Sequence, residues 1–66
     1  MKNRIRVARA EVRMTQQQLA EAIGVSRQTI NAIESGKFVP STVLALKMAQ
    51  IFEKTVEEIF MLDNED

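Results

Sequence analysis

The sequence predicts an all-α fold, a compact bundle of five short helices, and three observations lead to this prediction. The interior residues that break a helical pattern are few, namely Gly24, Gly36 and Pro40. No run of alternating β-branched residues and no two-residue hairpin signal is present. Apolar residues recur at the spacing of a helix, and hydroxyl residues stand at the expected starts of the second to fifth helices.

Length and composition predict one small domain, residues 1–66, that is not an enzyme. The apolar fraction is 45% and the charged fraction 27%, as in folded soluble proteins. Because Cys and His are absent, we expect no disulfide, no metal site and no cofactor. No apolar run reaches the roughly 18 residues of a membrane span, and the N-terminus does not resemble a signal peptide. We therefore expect a cytoplasmic protein without a membrane partner or a small-molecule substrate.

The first two helices are predicted on either side of Met14. Apolar residues at i, i+3 and i+7 predict a first helix from about residue 3 to 13: Ile5, Ala8 and Val12. Thr15 begins the second helix, because Thr15 and Gln18 have the spacing of a capping box. Gly24 ends this helix, since glycine readily adopts the left-handed conformation found after helix ends.

A third helix follows after a very short connection. Ser26 caps it, Ile30 and Ile33 form its inner face, and it extends to about Ser35. Two helices joined by three or four residues cannot lie antiparallel side by side, so they must cross at a steep angle. Residues 16–35 are therefore predicted to form a helix-turn-helix.

The last two helices carry many apolar residues. Ser41 caps a fourth helix that extends to about Glu53, and a capping box over 55–58 opens a short fifth helix. The fourth helix is apolar nearly all round, which is typical of a central helix or one shared with a partner. We predict a homodimer whose interface contains Ile51, Phe52, Ile59, Phe60, Met61 and Leu62.

This interface prediction has an alternative. Taken singly, Phe52, Ile59 and Phe60 are as readily explained as core residues beneath the first and fourth helices. The best candidates for the outer part of the interface are Met61 and Leu62, which we expect as a short strand against residues near Met1.

The charge is distributed unevenly although its sum is zero. Residues 1–37 contain seven basic and three acidic side chains, whereas residues 38–66 contain two basic and six acidic ones. The first half would attract a polyanion and the end of the second half would repel it. Residues 63–66 are expected to form a solvated acidic tail.

The pattern across the predicted helix-turn-helix resembles a known family. Its residues are Gln16-x-x-Leu19-Ala20-x-x-Ile23-Gly24-Val25-Ser26-x-x-Thr29-Ile30-x-x-Ile33-Glu34-x-Gly36-Lys37, then Pro40-Ser41 and Leu46-x-Met48-Ala49. This pattern is similar to the phage-repressor/Cro-type helix-turn-helix family, also called the xenobiotic-response-element family, over roughly residues 3–60. The resemblance implies a lambda-repressor-like fold whose third helix enters the major groove, and a sequence-specific transcriptional regulator whose partner is double-stranded DNA.

The candidate DNA contacts are set by their places around the third helix. Its N-terminal residues would reach base edges, where Arg27 suits guanine and Gln28 suits adenine, and Asn31 lies one turn further on. Candidate phosphate contacts surround them: Gln16, Gln17, Thr29, Ser35 and Lys37. The alternative is that Arg27, Gln28 and Asn31 are merely the solvated face of an amphipathic helix.

The resemblance also implies an ion pair. Family members commonly pair an Arg in the first helix with a Glu near the end of the recognition helix, which here are Arg9 and Glu34. The alternative is two independent surface charges, and the stability of Glu34→Gln separates the two cases.

We expect a repressor that reads a palindromic operator. Two copies with recognition helices about 34 Å apart would read half-sites one turn apart. Two other classes share this helix-turn-helix: a protein-bridging adaptor, and an antitoxin that also binds a toxin. A separate toxin-binding extension would favour the antitoxin, but only residues 63–66 follow the expected fold.

Overall fold

The computed structural model describes residues 1–66 and contains five α-helices and one small sheet. The helices are α1 (Ile5–Glu11), α2 (Gln16–Ile23), α3 (Arg27–Glu34), α4 (Thr42–Phe52) and α5 (Val56–Ile59). The strands β1 (Lys2–Asn3) and β2 (Phe60–Met61) pair antiparallel, with Lys2 opposite Met61 and Asn3 opposite Phe60. The predicted five-helix fold is confirmed, and the sheet is added to it. None of the helices combines the length and apolar character needed to cross a bilayer.

Side-chain caps begin four of the helices, at the predicted residues. Thr15 accepts a hydrogen bond from the Gln18 amide at 3.0 Å, and its own amide donates to Gln18 Oε1 at 2.8 Å. The hydroxyls of Ser26, Ser41 and Thr55 accept in the same way from the third residue of each following helix. These local bonds satisfy amides that have no partner within the helix, so they fix where each helix starts.

One face of every helix contributes to the hydrophobic core. It consists of Ile5, Ala8, Leu19, Ala20, Ile23, Ile30, Ile33, Met48, Phe52, Ile59 and Phe60, each at most 7% exposed. Ile30 and Ile33, which were predicted to form the inner face of α3, are both among them. Val12 is not, with 44% of its surface exposed, because α1 ends at Glu11 and its apolar stripe does not continue that far.

The end of the chain folds back onto its own beginning. The Arg4 amide donates to the Ile59 carbonyl at 2.7 Å, just beside the pairing of β1 with β2. The ammonium group of Met1 contacts carboxylates of Asp63 at 3.1 Å and Asp66 at 3.3 Å. Hydrogen bonds to these two carboxylates raise the pKa of the amino group. The expected solvated tail is therefore partly held against β1.

This arrangement corrects part of the predicted dimer interface. Phe52, Ile59 and Phe60 are 5%, 0% and 7% exposed within the single chain, so they offer almost no surface to a second copy. Because β2 pairs with β1 of the same chain, these side chains are enclosed between the helices and the sheet. Ile51 and Met61 are half-buried, and only Leu62 is well exposed, at 78%.

The strand near Met1 is formed within one chain and comprises Phe60 and Met61, so Leu62 lies outside it. Asn3 of the partner strand β1 has a further role. Its Nδ2 donates to the carbonyls of Ile33 at 3.0 Å and Glu34 at 3.4 Å. The small sheet is thus hydrogen-bonded to the C-terminal end of α3, where the Ile33 carbonyl also accepts from the Gly36 amide at 3.1 Å.

Candidate nucleic-acid interface

The outer face of α3 is exposed because its inner face is anchored in the core. Ile30 is 0% exposed and Ile33 is 1% exposed, and both pack against the other helices. The three predicted base contacts, Arg27, Gln28 and Asn31, lie on the opposite side of the helix and are all exposed. They therefore form one polar surface on a helix whose position is fixed from behind.

The start of α3 is electrically suited to an anion. Its first turn contains no acidic residue, and Arg27 makes no ion pair within the chain. The unpaired amides of a helix N-terminus add positive partial charge at the same place. Arg27 is thus a cation without an internal partner at the positive end of the helix.

The predicted phosphate contacts differ in how free they are. Lys37 is exposed and makes no ion pair. The side-chain amide of Gln17 donates to Glu21 Oε2 at 3.1 Å, and the Ser35 hydroxyl donates to the Ala32 carbonyl at 3.2 Å. Thr29 is half-buried, and its hydroxyl lies 3.0 Å from that of Ser26. Of these four, Lys37 is the most available.

Arg9 and Glu34 are brought together as a partly buried ion pair. Arg9 Nε lies 2.7 Å from Glu34 Oε2, and Arg9 Nη2 donates to Oε1 at 3.2 Å. Their side chains are 14% and 2% exposed, so water screens the pair little. Arg9 Nη1 also donates to the Met14 carbonyl at 2.9 Å, and Arg6 Nε lies 3.7 Å from Glu34 Oε1. The pair fastens α1 to the end of α3.

Gln16 belongs to the same hydrogen-bonded group. Its Nε2 lies 3.2 Å from Glu34 Oε1 and 3.4 Å from Asn31 Oδ1. A phosphate contact through this side-chain amide would compete with both bonds. This arrangement depends on three helices lying close together, and no sequence pattern predicts it.

Sequence reasoning missed an exposed apolar face beside α4. Its members are Phe38 (51% exposed), Val39 (61%), Val43 (61%) and Leu46 (53%). Two of them, Val39 and Leu46, also line a groove of about 230 Å³, together with Met1, Pro40, Thr42, Ala45, Val56 and Phe60. The signal was present in the sequence: once Leu44, Met48 and Phe52 occupy the inner side at i, i+4 and i+8, Val43 and Leu46 must lie on another side.

Comparison with known proteins shows the family to which this chain belongs. A family model described as helix-turn-helix matches residues 5–59. The chain belongs to this family, whose members are DNA-binding transcriptional regulators.

Relatives in bacteria and archaea share the whole length of the family domain. The chain is 44% identical over 66 residues to the HTH-type transcriptional regulator YgzD of Bacillus subtilis, covering 100% of both chains. It is 47% identical over 66 residues to the HTH-type transcriptional regulator MJ0272 of Methanocaldococcus jannaschii, again covering 100% of both.

A solved structure gives the same architecture. The clp gene regulator ClgR from Corynebacterium glutamicum matches with a TM-score of 0.75 and 28% identity, over 82% of this chain and 57% of that chain. This helix-turn-helix protein therefore spans little more than half the length of ClgR.

Proposed function

We propose that the protein is a homodimeric repressor that reads a palindromic operator with the outer face of α3. The observation that carries this proposal is the unpaired Arg27 beside Gln28 at the N-terminus of a helix anchored by Ile30 and Ile33. Because operator DNA is the ligand, we place the protein in the cytoplasm.

The two leading side chains suit different bases. Arg27 can donate two hydrogen bonds to O6 and N7 of guanine, and Gln28 can pair with N6 and N7 of adenine. A correct pair of this kind discriminates against a wrong base by about 1 to 3 kcal/mol. Lys37 and the exposed amides near Gln17 would bind phosphates of the DNA backbone. These contacts would position the protein on the duplex without selecting a sequence.

Repression fits a helix-turn-helix domain through simple occlusion. A chain that binds its operator tightly prevents another protein from binding the same duplex, and this requires no second activity. We therefore favour repression over activation, which would require a surface that recruits a further partner.

We assign the homodimer contact to the apolar face formed by Phe38, Val39, Val43 and Leu46, together with the groove beside it. All four side chains are exposed, Val39 and Leu46 also line the groove, and no charged side chain lines it. A two-fold interface needs one patch that complements itself, and projecting residues next to a groove meet that condition. Leu62 is the predicted interface residue that remains exposed enough to contribute at its edge.

The dimer is tested by comparing two polar substitutions at equally exposed apolar residues. Leu46 is 53% exposed and Val7 is 56% exposed. We expect Leu46→Gln to shift the sedimentation equilibrium towards the monomer, and Val7→Gln to leave the dimer intact. A wild-type chain that sediments as a monomer at all concentrations, even with operator DNA, would exclude the homodimer.

The DNA function is tested by selecting binding sites from random duplexes at two salt concentrations. We expect one preferred sequence with two-fold symmetry and a steep loss of affinity as salt increases. Binding without any preferred sequence would instead favour the protein-bridging adaptor. A preferred site that lacks symmetry would contradict the dimer but not sequence recognition. Transcription from a promoter containing the selected site should decrease when the protein is added, and an increase would contradict repression.

A further inference from the structure

A hydrogen-bond chain leads from a buried carboxylate to the DNA-facing surface of α3. It begins at Glu34, whose side chain is 2% exposed and paired with Arg9. A carboxylate held by a guanidinium can only accept hydrogen bonds. Every side chain that bonds to Glu34 must therefore present a donor to it.

This requirement fixes the orientation of the Gln16 amide. The Gln16 side chain approaches Glu34 Oε1 to 3.2 Å, so its nitrogen must face the carboxylate and its oxygen must face away. The reverse orientation would place two oxygens in contact, with no proton between them. The same nitrogen lies 3.4 Å from the end of the Asn31 side chain.

The orientation of Asn31 is fixed in turn. Because Gln16 offers a donor, Asn31 must present Oδ1 to it, which leaves Nδ2 with no partner in the chain. Asn31 is exposed on the outer face of α3, one turn after Arg27. Its free group is therefore an amide nitrogen with two donors, whereas its oxygen already accepts one hydrogen bond inside the protein.

We propose that Asn31 reads guanine rather than adenine, because the hydrogen-bond chain from Glu34 through Gln16 holds Asn31 Oδ1 towards Gln16 and leaves the two Nδ2 donors free for DNA. This proposal rests on the proposed binding of α3 in the major groove. An asparagine that binds adenine must accept a hydrogen bond from N6 while it donates to N7. Guanine presents only acceptors, O6 and N7, at the corresponding places, so it matches a side chain whose oxygen is already engaged.

The experiment compares the base preferences of four variants with those of wild type by site selection from random duplexes. Asn31→Ala should lose a guanine preference at one position of each half-site, by a factor on the order of 10. Gln16→Met keeps a similar length but cannot hydrogen-bond, so it frees Asn31 Oδ1. We expect it to move the preference at that same position from guanine towards adenine.

The matched control is Gln17→Met, one residue along the same helix. Gln17 bonds to Glu21 and does not contact Asn31. This variant should weaken binding to all sequences alike and leave the guanine preference unchanged. The fourth variant, Asn31→Asp, changes one exposed group and does not depend on the tolerance of position 16. It can only accept, so guanine should be disfavoured and cytosine, which offers an N4 donor, favoured.

The outcomes separate this proposal from the proposed function. If wild type selects no sequence, the proposed function fails. If wild type selects a sequence but Asn31→Ala weakens all duplexes equally, Asn31 binds phosphate and this proposal is overturned. A Gln16→Met variant that keeps the guanine preference would overturn the role of the hydrogen-bond chain, as would an Asn31→Asp variant that still selects guanine.

Discussion

Two helix pairs in this molecule are joined by turns of nearly identical backbone geometry. Residues 24–26 connect α2 to α3, and residues 53–55 connect α4 to α5. The first turn begins with φ 79° and ψ 35° and ends with φ −81° and ψ 158°. The second begins with φ 53° and ψ 46° and ends with φ −77° and ψ 159°. In each turn the second amide donates to a carbonyl five residues earlier at 3.0 Å.

The helices that begin after these two turns carry chemically opposite side chains. The first turn leads into Arg27 and Gln28, whereas the first helical turn of α5 contains Glu57 and Glu58. A polyanion would be attracted to one helix start and repelled from the other. The helix-turn-helix backbone alone therefore does not make a DNA site, because side chains in the first turn after the cap decide whether phosphate can approach.

The largest expected effect comes from breaking the Arg9–Glu34 ion pair, which anchors α3 and has no equivalent in the second helix pair. Glu34→Gln leaves the Arg9 guanidinium buried without its counter-charge, so we expect the free energy of unfolding to fall by about 3 to 5 kcal/mol. Urea denaturation followed by circular dichroism measures it. Glu57→Gln, an exposed position without an ion pair, should change stability by no more than about 0.5 kcal/mol. A loss below about 1 kcal/mol for Glu34→Gln would show that the pair does not hold α3.

The next effect tests the chemistry of the first turn of α3. Arg27→Ala should cost about 1 to 3 kcal/mol of discrimination at one base pair of each half-site. Lys37→Ala should weaken binding to all sequences alike and reduce the slope of log affinity against log salt by about one. Competition assays on selected and substituted duplexes distinguish the two. If both variants affected every duplex equally, Arg27 would not be a base reader.

A smaller effect is expected from substitutions at Gly24 and Glu53, the left-handed residues that begin the two turns. Gly24→Ala places a Cβ at φ 79°, and no atom lies within 4 Å of that Cβ, so the cost of about 1 to 2 kcal/mol is backbone strain alone. Glu53→Gly relieves the same strain in the second turn and should stabilise the protein by up to about 1 kcal/mol. Thermal unfolding of both variants checks the signs. Equal signs would mean that the two turns are not equivalent.

The smallest effect separates the two capping boxes by pH. Hydrogen bonds from the Thr55 amide and hydroxyl lower the pKa of Glu58 below its usual 4.5. The stabilisation is therefore present above pH 4.5 and is lost as the pH falls through the lowered pKa of the folded state. Glu58→Gln imitates the Thr15–Gln18 box and should reduce the loss of stability in acid. An unchanged acid titration of the melting temperature would exclude this contribution.

The sequence predicted the features that depend on neighbouring residues more completely than those that depend on distant ones. The boxes at Thr15 and Thr55 were predictable because each is complete within four residues. Phe52 and Ile59 were predicted at an interface, with the core as the alternative, and they lie in the core, where packing between distant parts of the chain buries them.

Some residues of the candidate site could be predicted from the sequence and others could not. The outward positions of Arg27 and Gln28 are set by helical periodicity around Ile30. The engagement of Gln16 could not be foreseen, since it depends on the distance between α2 and α3 after they cross.

The bonds from Asn3 to the last carbonyls of α3 have a consequence for how the protein meets its ligand. An eight-residue helix is too short to persist alone in water. Asn3 of β1 holds the C-terminal end of α3, and Ile30 and Ile33 anchor its inner face. The helix is therefore rigid before any ligand binds. Little ordering entropy remains to be lost on association, so contacts made by α3 translate almost directly into affinity. Amide exchange along this helix should then be slow in the free protein and change little in the complex.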